Sequence, residues 1–153
     1  MESSLSIRSP LPDDYTQWKV LWGGYNAFYG REGSTALPDN IINTAWQRIF
    51  DEAEPVHCLV AELDGQLVGL AHYIFHRNMI AIEPMCYLQD LFTSEPVRGK
   101  GVGCAMMAEF YKQAKNGGAT RVYWHTHSTN ETARRLYDRI AIDTEFTVYR
   151  KDA

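Results

Sequence analysis

The sequence predicts an α/β domain with a mixed sheet, and three observations carry that prediction. Two apolar segments flank Asp64-Gly65 inside HCLVAELDGQLVGLAHYIFHR (57–77), a strong hairpin signal. Trp18, Leu21, Trp22, Tyr25, Phe28 and Tyr29 recur at helical spacing. A glycine-rich loop, VRGKGVG (97–103), joins a strand candidate to a helix candidate.

The elements follow in order. LSIR (5–8) is a short first strand. Pro12, Asp13 and Asp14 open a helix, because proline fits a first turn and acids complement its partial positive charge. Gly23-Gly24 weakens that helix midway. A second helix covers 38–52, opened by Pro38-Asp39. The hairpin supplies two strands, and MCYLQDLFTS (85–94) a further one. Beyond the loop, Val102, Met106 and Phe110 mark one face of a helix that Gly117-Gly118 ends. RVYWHT (121–126) is another strand. Ser128-x-x-Glu131 has the form of a capping box. It precedes a helix with Ala133, Leu136, Tyr137 and Ile140 on one face. FTVYRK (146–151) is the last strand. The order is β-α-α-β-β-β-α-β-α-β, one domain over 1–153.

Bulk properties narrow the function. A chain of 153 residues, 45% hydrophobic and 22% charged, supports one globular core. No apolar run approaches the roughly eighteen residues of a membrane span, and MESSLSIRSPLPDD lacks a signal-peptide core. Three cysteines without a C-x-x-C, Cys58, Cys86 and Cys104, point to reduced thiols in a cytoplasmic protein. A net charge of −4 argues against broad nucleic-acid binding. The pair His125-x-His127 lacks an evident third ligand, so no metal is expected.

The glycine loop is the chemical feature of the chain. A helix N-terminus offers unpaired N–H groups to an anion, glycine lets the backbone come close, and Arg98 and Lys100 add charge. No G-x-x-x-x-G-K-[ST] string occurs, and Cys104 stands where a dinucleotide fingerprint needs its third glycine. What remains is Arg98-x-x-Gly101-x-Gly103. This spacing resembles the R/Q-x-x-G-x-G/A signature of the GNAT acetyltransferases. YLQDLFTSEPVRGKGVG (87–103) is similar to their coenzyme A strand and loop, and TNETARRLYDR (129–139) to the helix that follows, with Asn130 and Tyr137 seven residues apart. HCLVAELDGQLVGLAHY (57–73) resembles the hairpin of the diamine acetyltransferase branch. YWHTHSTN and VYRK resemble the small fungal histone-and-polyamine acetyltransferases and their bacterial relatives.

The resemblance implies a GNAT fold: a mainly antiparallel mixed sheet, about four helices and a splayed cofactor strand. It implies acetyl-CoA as cosubstrate. The pyrophosphate would rest on Arg98, Gly99, Lys100, Gly101, Val102 and Gly103, and the pantetheine arm on the backbone of Leu91, Phe92 and Thr93 and on Asn130. Tyr137 would protonate the departing thiolate, since a phenol near pKa 10 stays protonated at neutral pH. The acceptor would be a primary amine: a polyamine, an amino acid, a protein lysine or an antibiotic-like amine. Tyr25, Tyr29 and Tyr73 are its candidate contacts. The family often dimerises, with the C-terminal strand as the usual contact, so a homodimer is expected.

The base is the open point. Freeing an alkyl amine of its proton at pH 7 costs about 4–5 kcal/mol. In the diamine branch a strand glutamate does this through water; here Gln89 holds that position and cannot ionise. Asp90 and Glu83 are nearby alternatives, but alternation puts Asp90 on the opposite face, where it could equally bond loop amides. A water chain ending at a carbonyl, or a relay through one of the histidines, would also serve. Gln89 further leaves room for a rival reading, a CoA-binding module without catalysis.

Overall fold

Alternation along the central strands builds two cores on one sheet. In the computed structural model, which describes residues 4–153, β1 (Leu5–Arg8), β2 (Val56–Leu63), β3 (Gln66–His76), β4 (Met85–Thr93) and β5 (Arg121–Trp124) lie side by side in chain order. The first three pairings are antiparallel and β4·β5 is parallel. Met1, Glu2 and Ser3 of the N-terminal stretch lie outside the description. Along β2, Cys58 and Val60 face one way, joining Trp18, Leu21, Trp22 and Leu70. Leu59 faces the other, joining Tyr73, Cys86, Leu88, Met107 and Phe110.

Helices cover both faces. A short 3-10 turn (Pro12–Asp14) leads into α1 (Tyr15–Phe28), which packs on β3 and β4. The turn is anchored by Arg8, whose Nη1 donates to Asp14 Oδ2 at 2.7 Å. α2 (Asp39–Ile49) lays Ile42, Ala45, Trp46 and Ile49 against the tryptophan cluster. α3 (Val102–Asn116) buries Val102, Met106 and Phe110 on the other face, the stripe its periodicity predicts. α4 (Glu131–Ile140) follows β5, and its Tyr137 packs against Trp124. The glycine pair in α1 does not break it. Gly24 lies where a Cβ would come within 3.0 Å of the Phe92 ring, so its bareness lets the helix approach β4 closely.

Three local expectations are corrected. The capping box at Ser128 does not form: Asn130 is the N-cap of α4, and its Oδ1 accepts from the Ala133 N–H at 3.2 Å. Asparagine is an equally good cap, and the turn at 127–129 sets the helix start two residues later than the motif suggests. RVYWHT is shortened to Arg121–Trp124, so His125 and His127 stand on a loop rather than on one face of a strand. The last strand is absent: residues 141–153 are irregular, with Phe146 90% and Tyr149 92% exposed. β propensity becomes a strand only beside a partner edge, and among the described residues this segment has none. No helix among them is long and apolar enough to cross a membrane.

Candidate active site

The decisive feature is where two neighbouring strands part. β4 pairs with β3 as far as Thr93↔Gly69, but with β5 only as far as Leu88↔Trp124. Opposite β3, Tyr73 faces Leu88 and His72 faces Asp90, which leaves Gln89 as an extra residue. Such a bulge bends a strand and interrupts its alternation. From Gln89 onward the edge of β4 toward β5 is unpaired, and a cleft of about 420 Å³ opens there. Tyr25, Phe28 and Tyr29 of the α1 end wall it on one side, and Trp124, His125, Asn130, Ala133 and Tyr137 on the other. Gln89, Leu91, Phe92, Thr93 and Arg98 line its floor and mouth.

The loop at the mouth has the conformation its glycines allow. Gly99 and Gly101 take φ of +80° and +84°, the left-handed region that glycine tolerates without strain. Gly101 caps α3, and Val102 tucks its side chain into the core, so this segment offers backbone N–H groups rather than side chains. Gly103 has only the Thr93 hydroxyl within 4 Å of where a Cβ would stand, so the approach to its backbone is open. Arg98 donates through Nε to the Thr93 carbonyl at 3.0 Å and lies over the Phe92 ring. That bond fixes its guanidinium beside the helix N-terminus, and Lys100 is exposed on the same loop. Backbone N–H groups at a helix start beside two cations are an arrangement that suits an anion.

Within the cleft, Tyr137 packs edge-on against Trp124. Burial, then the neighbouring Tyr29 and Tyr111 hydroxyls, raise its pKa above the ordinary phenol value. It therefore stays protonated across the neutral range and can serve as an acid rather than a base. Asn130 commits Oδ1 to its cap, and its Nδ2 has no hydrogen-bond partner among the described residues. Tyr25 donates to the carbonyl of Gln89 at 3.3 Å, and burial followed by the Asp90 charge raises its pKa as well. Tyr29 stacks on His127, and His125 Nδ1 lies 3.2 Å from the Tyr87 hydroxyl.

Two sequence candidates fall elsewhere. Tyr73 is 5% exposed and packs against Phe110 on the α3 side, so it does not reach the cleft. Its neighbour His72 faces α1 instead, a choice that alternation alone could not make. Asp90 is 3% exposed, and its Oδ2 accepts from the Trp22 indole at 3.2 Å and lies 2.7 Å from His72 Nδ1. Trp18 donates its indole N–H to His72 Nε2 at 2.9 Å. An indole is a donor only, so this bond leaves the imidazole proton on Nδ1, pointing at the carboxylate. The network ties α1 to the bulge, and no sequence pattern announces it. Trp18 and Trp22 read as core residues, and nothing in the chain tells that their N–H groups converge on one histidine and one aspartate.

Comparison with known proteins fits this geometry. The model of the Acetyltransferase (GNAT) family matches residues 18–141. The D-amino-acid N-acetyltransferase HPA3 of Saccharomyces cerevisiae is 30% identical over 148 residues, covering 95% of this chain and 89% of that protein. The uncharacterized N-acetyltransferase YhfO of Bacillus subtilis is 24% identical and covers 95% of both chains. Among solved structures, the aminoglycoside N-acetyltransferase AAC(6')-Iy in complex with CoA superimposes with a TM-score of 0.83 at 18% identity, over 99% of this chain and 97% of that one.

Proposed function

Because the chain belongs to the GNAT family, and is an acetyl-CoA-dependent N-acetyltransferase, we propose that it acetylates a small primary amine by direct attack in a ternary complex. The parting of β4 from β5 at Gln89 carries this reading, since it opens one cleft with a phosphate-type site at its mouth and a phenol inside. In that reading Arg98 and the loop N–H groups from Gly99 to Gly103 hold the pyrophosphate. The free edge at Leu91, Phe92 and Thr93, with Asn130 Nδ2, orients the pantetheine arm.

The thioester then lies between Tyr137 and the tyrosines of α1. Holding both reactants in one cleft removes much of the entropic barrier to their meeting. The free edge of β4 offers backbone donors to the thioester oxygen as it gains charge. The amine nitrogen attacks the carbonyl carbon, the C–S bond breaks, and the Tyr137 hydroxyl protonates the departing thiolate. Asp90 is the positioning residue of the bulge rather than the base, because its carboxylate is buried and engaged. The amine's proton leaves through water along Gln89 to the imidazole of His125, which lines the same cleft. Tyr25 and Tyr29 form the acceptor wall.

The acceptor class has two leading candidates among relatives: D-amino acids, from the name of the yeast protein, and aminoglycosides, from that of the CoA-bound structure. The exposed Ile142, Phe146, Val148 and Tyr149 support a homodimer whose contact uses the C-terminal segment. The direct test mixes protein, acetyl-CoA and a broad amine panel, and reads free thiol and acetylated product. Cofactor binding without thiol release across the panel would favour a CoA-binding module instead.

A further inference from the structure

The charge inventory of the cleft is one-sided. Its lining includes the cation Arg98 and the imidazole of His125 but no aspartate and no glutamate. Asp90 is close in sequence, yet it lies behind the bulge with its carboxylate bound to His72 and Trp22. A second cation stands at the acceptor end. Arg31, just past α1, donates through Nε to Asn26 Oδ1 at 2.8 Å, and its guanidinium carbon lies 5.9 Å from the Tyr25 ring centroid and 5.7 Å from that of Tyr29. Asn26 is itself buried, so this bond fixes the direction of the fork. Among the described residues Arg31 takes part in no ion pair. Its terminal nitrogens are held beside the two tyrosines that wall the cleft, with no carboxylate to meet them.

From this arrangement we infer that Arg31 anchors an acceptor carboxylate, and that the acceptor is an amino acid rather than a polyamine or an aminoglycoside. The inference rests on the acetyltransferase reading above and names its substrate class. A polyamine or aminoglycoside would bring further ammonium groups to a lining that holds no aspartate or glutamate, beside the guanidinium of Arg31, where like charges repel. An amino acid brings one amine for the thioester and one carboxylate for the guanidinium. A planar fork on an aromatic wall suits a carboxylate bidentately, which also sets the direction of the amine.

The test uses the full chain with acetyl-CoA and matched acceptors: D- and L-phenylalanine against phenethylamine, and D- and L-lysine against cadaverine, with spermidine and kanamycin as polycations. Thiol release gives kcat/KM for each, and calorimetry gives acetyl-CoA binding separately. At least one enantiomer of an amino acid should exceed its decarboxylated partner. Arg31→Met should lower that ratio by about tenfold or more, and Arg31→Lys should restore part of it. The ratio is taken within one protein, so a loss of folded enzyme cancels. Wild-type preference for the decarboxylated amines or the polycations overturns the inference and leaves the acetyltransferase reading standing. A ratio unmoved by Arg31→Met removes Arg31 as the anchor. Bound acetyl-CoA with no thiol release for any of the amines overturns both.

Discussion

Replacing the Tyr137 hydroxyl with hydrogen should cost turnover and spare cofactor affinity. The ring would still pack on Trp124, so the cleft keeps its shape, while the thiolate loses its proton donor. Tyr137→Phe is expected to lower kcat by about a hundredfold or more, with the acetyl-CoA Kd unchanged by calorimetry; an unaltered kcat would remove Tyr137 as the acid. A second residue-scale prediction concerns Asp14. Arg8 holds its carboxyl below the usual range, ahead of the opposing effect of burial, and the Leu11 N–H lowers it further. A depressed native pKa stabilises the fold above the unfolded value, and the benefit is lost as pH falls through the native value. Denaturant titrations of wild type and Asp14→Asn should therefore differ most near pH 6 and converge as pH falls below about 4. At this scale the sequence was unevenly legible. Tyr137 and Asn130 stand out by their spacing, whereas His72 and Arg31 matter only through partners far along the chain or across a turn.

At the scale of elements, the proposed cofactor site turns on the start of α3. Gly101 holds φ of +84° at the start of α3, where a side chain is strained. Gly101→Ala should cost about 1–2 kcal/mol in stability and tilt the N–H groups that face the anion. The expected readout is a weaker acetyl-CoA Kd, with desulfo-CoA, which keeps the pyrophosphate, weakened alike and acetylpantetheine, which lacks it, unaffected; an unchanged Kd would remove this loop from the phosphate site. Strand and helix existence was readable from period and turn signals for β1 to β5 and α1 to α4. The exceptions share one cause. The bulge at Gln89, the shortened β5 and the missing strand at 146–151 are all questions of which edge meets which. Propensity describes a segment, and pairing needs a second one.

At the scale of the whole molecule, the outer edge of β5 and the exposed tail are what a second copy could cover. Sedimentation should find a dimer of the full chain, and removal of residues 142–153 should yield a monomer; a full-length monomer at micromolar concentration would refute the dimer. By itself the sequence determined the α/β class, the order of the elements through α4, the glycine loop ahead of α3, and the family to which that loop belongs. These are written in local spacing, because hydrophobic period, turn residues and a glycine signature are properties of neighbouring residues. Tertiary structure alone decided that Asp90 is locked to His72 and Trp22, that Tyr73 belongs to the core, and that Arg31 stands over Tyr25 and Tyr29. The first two depend on the bulge phase of β4 and on how α1 lies across the sheet, and the third on the turn that folds Arg31 back over the end of α1. The bulge phase and the lie of α1 are set by packing between segments dozens of residues apart, which no short stretch of sequence encodes.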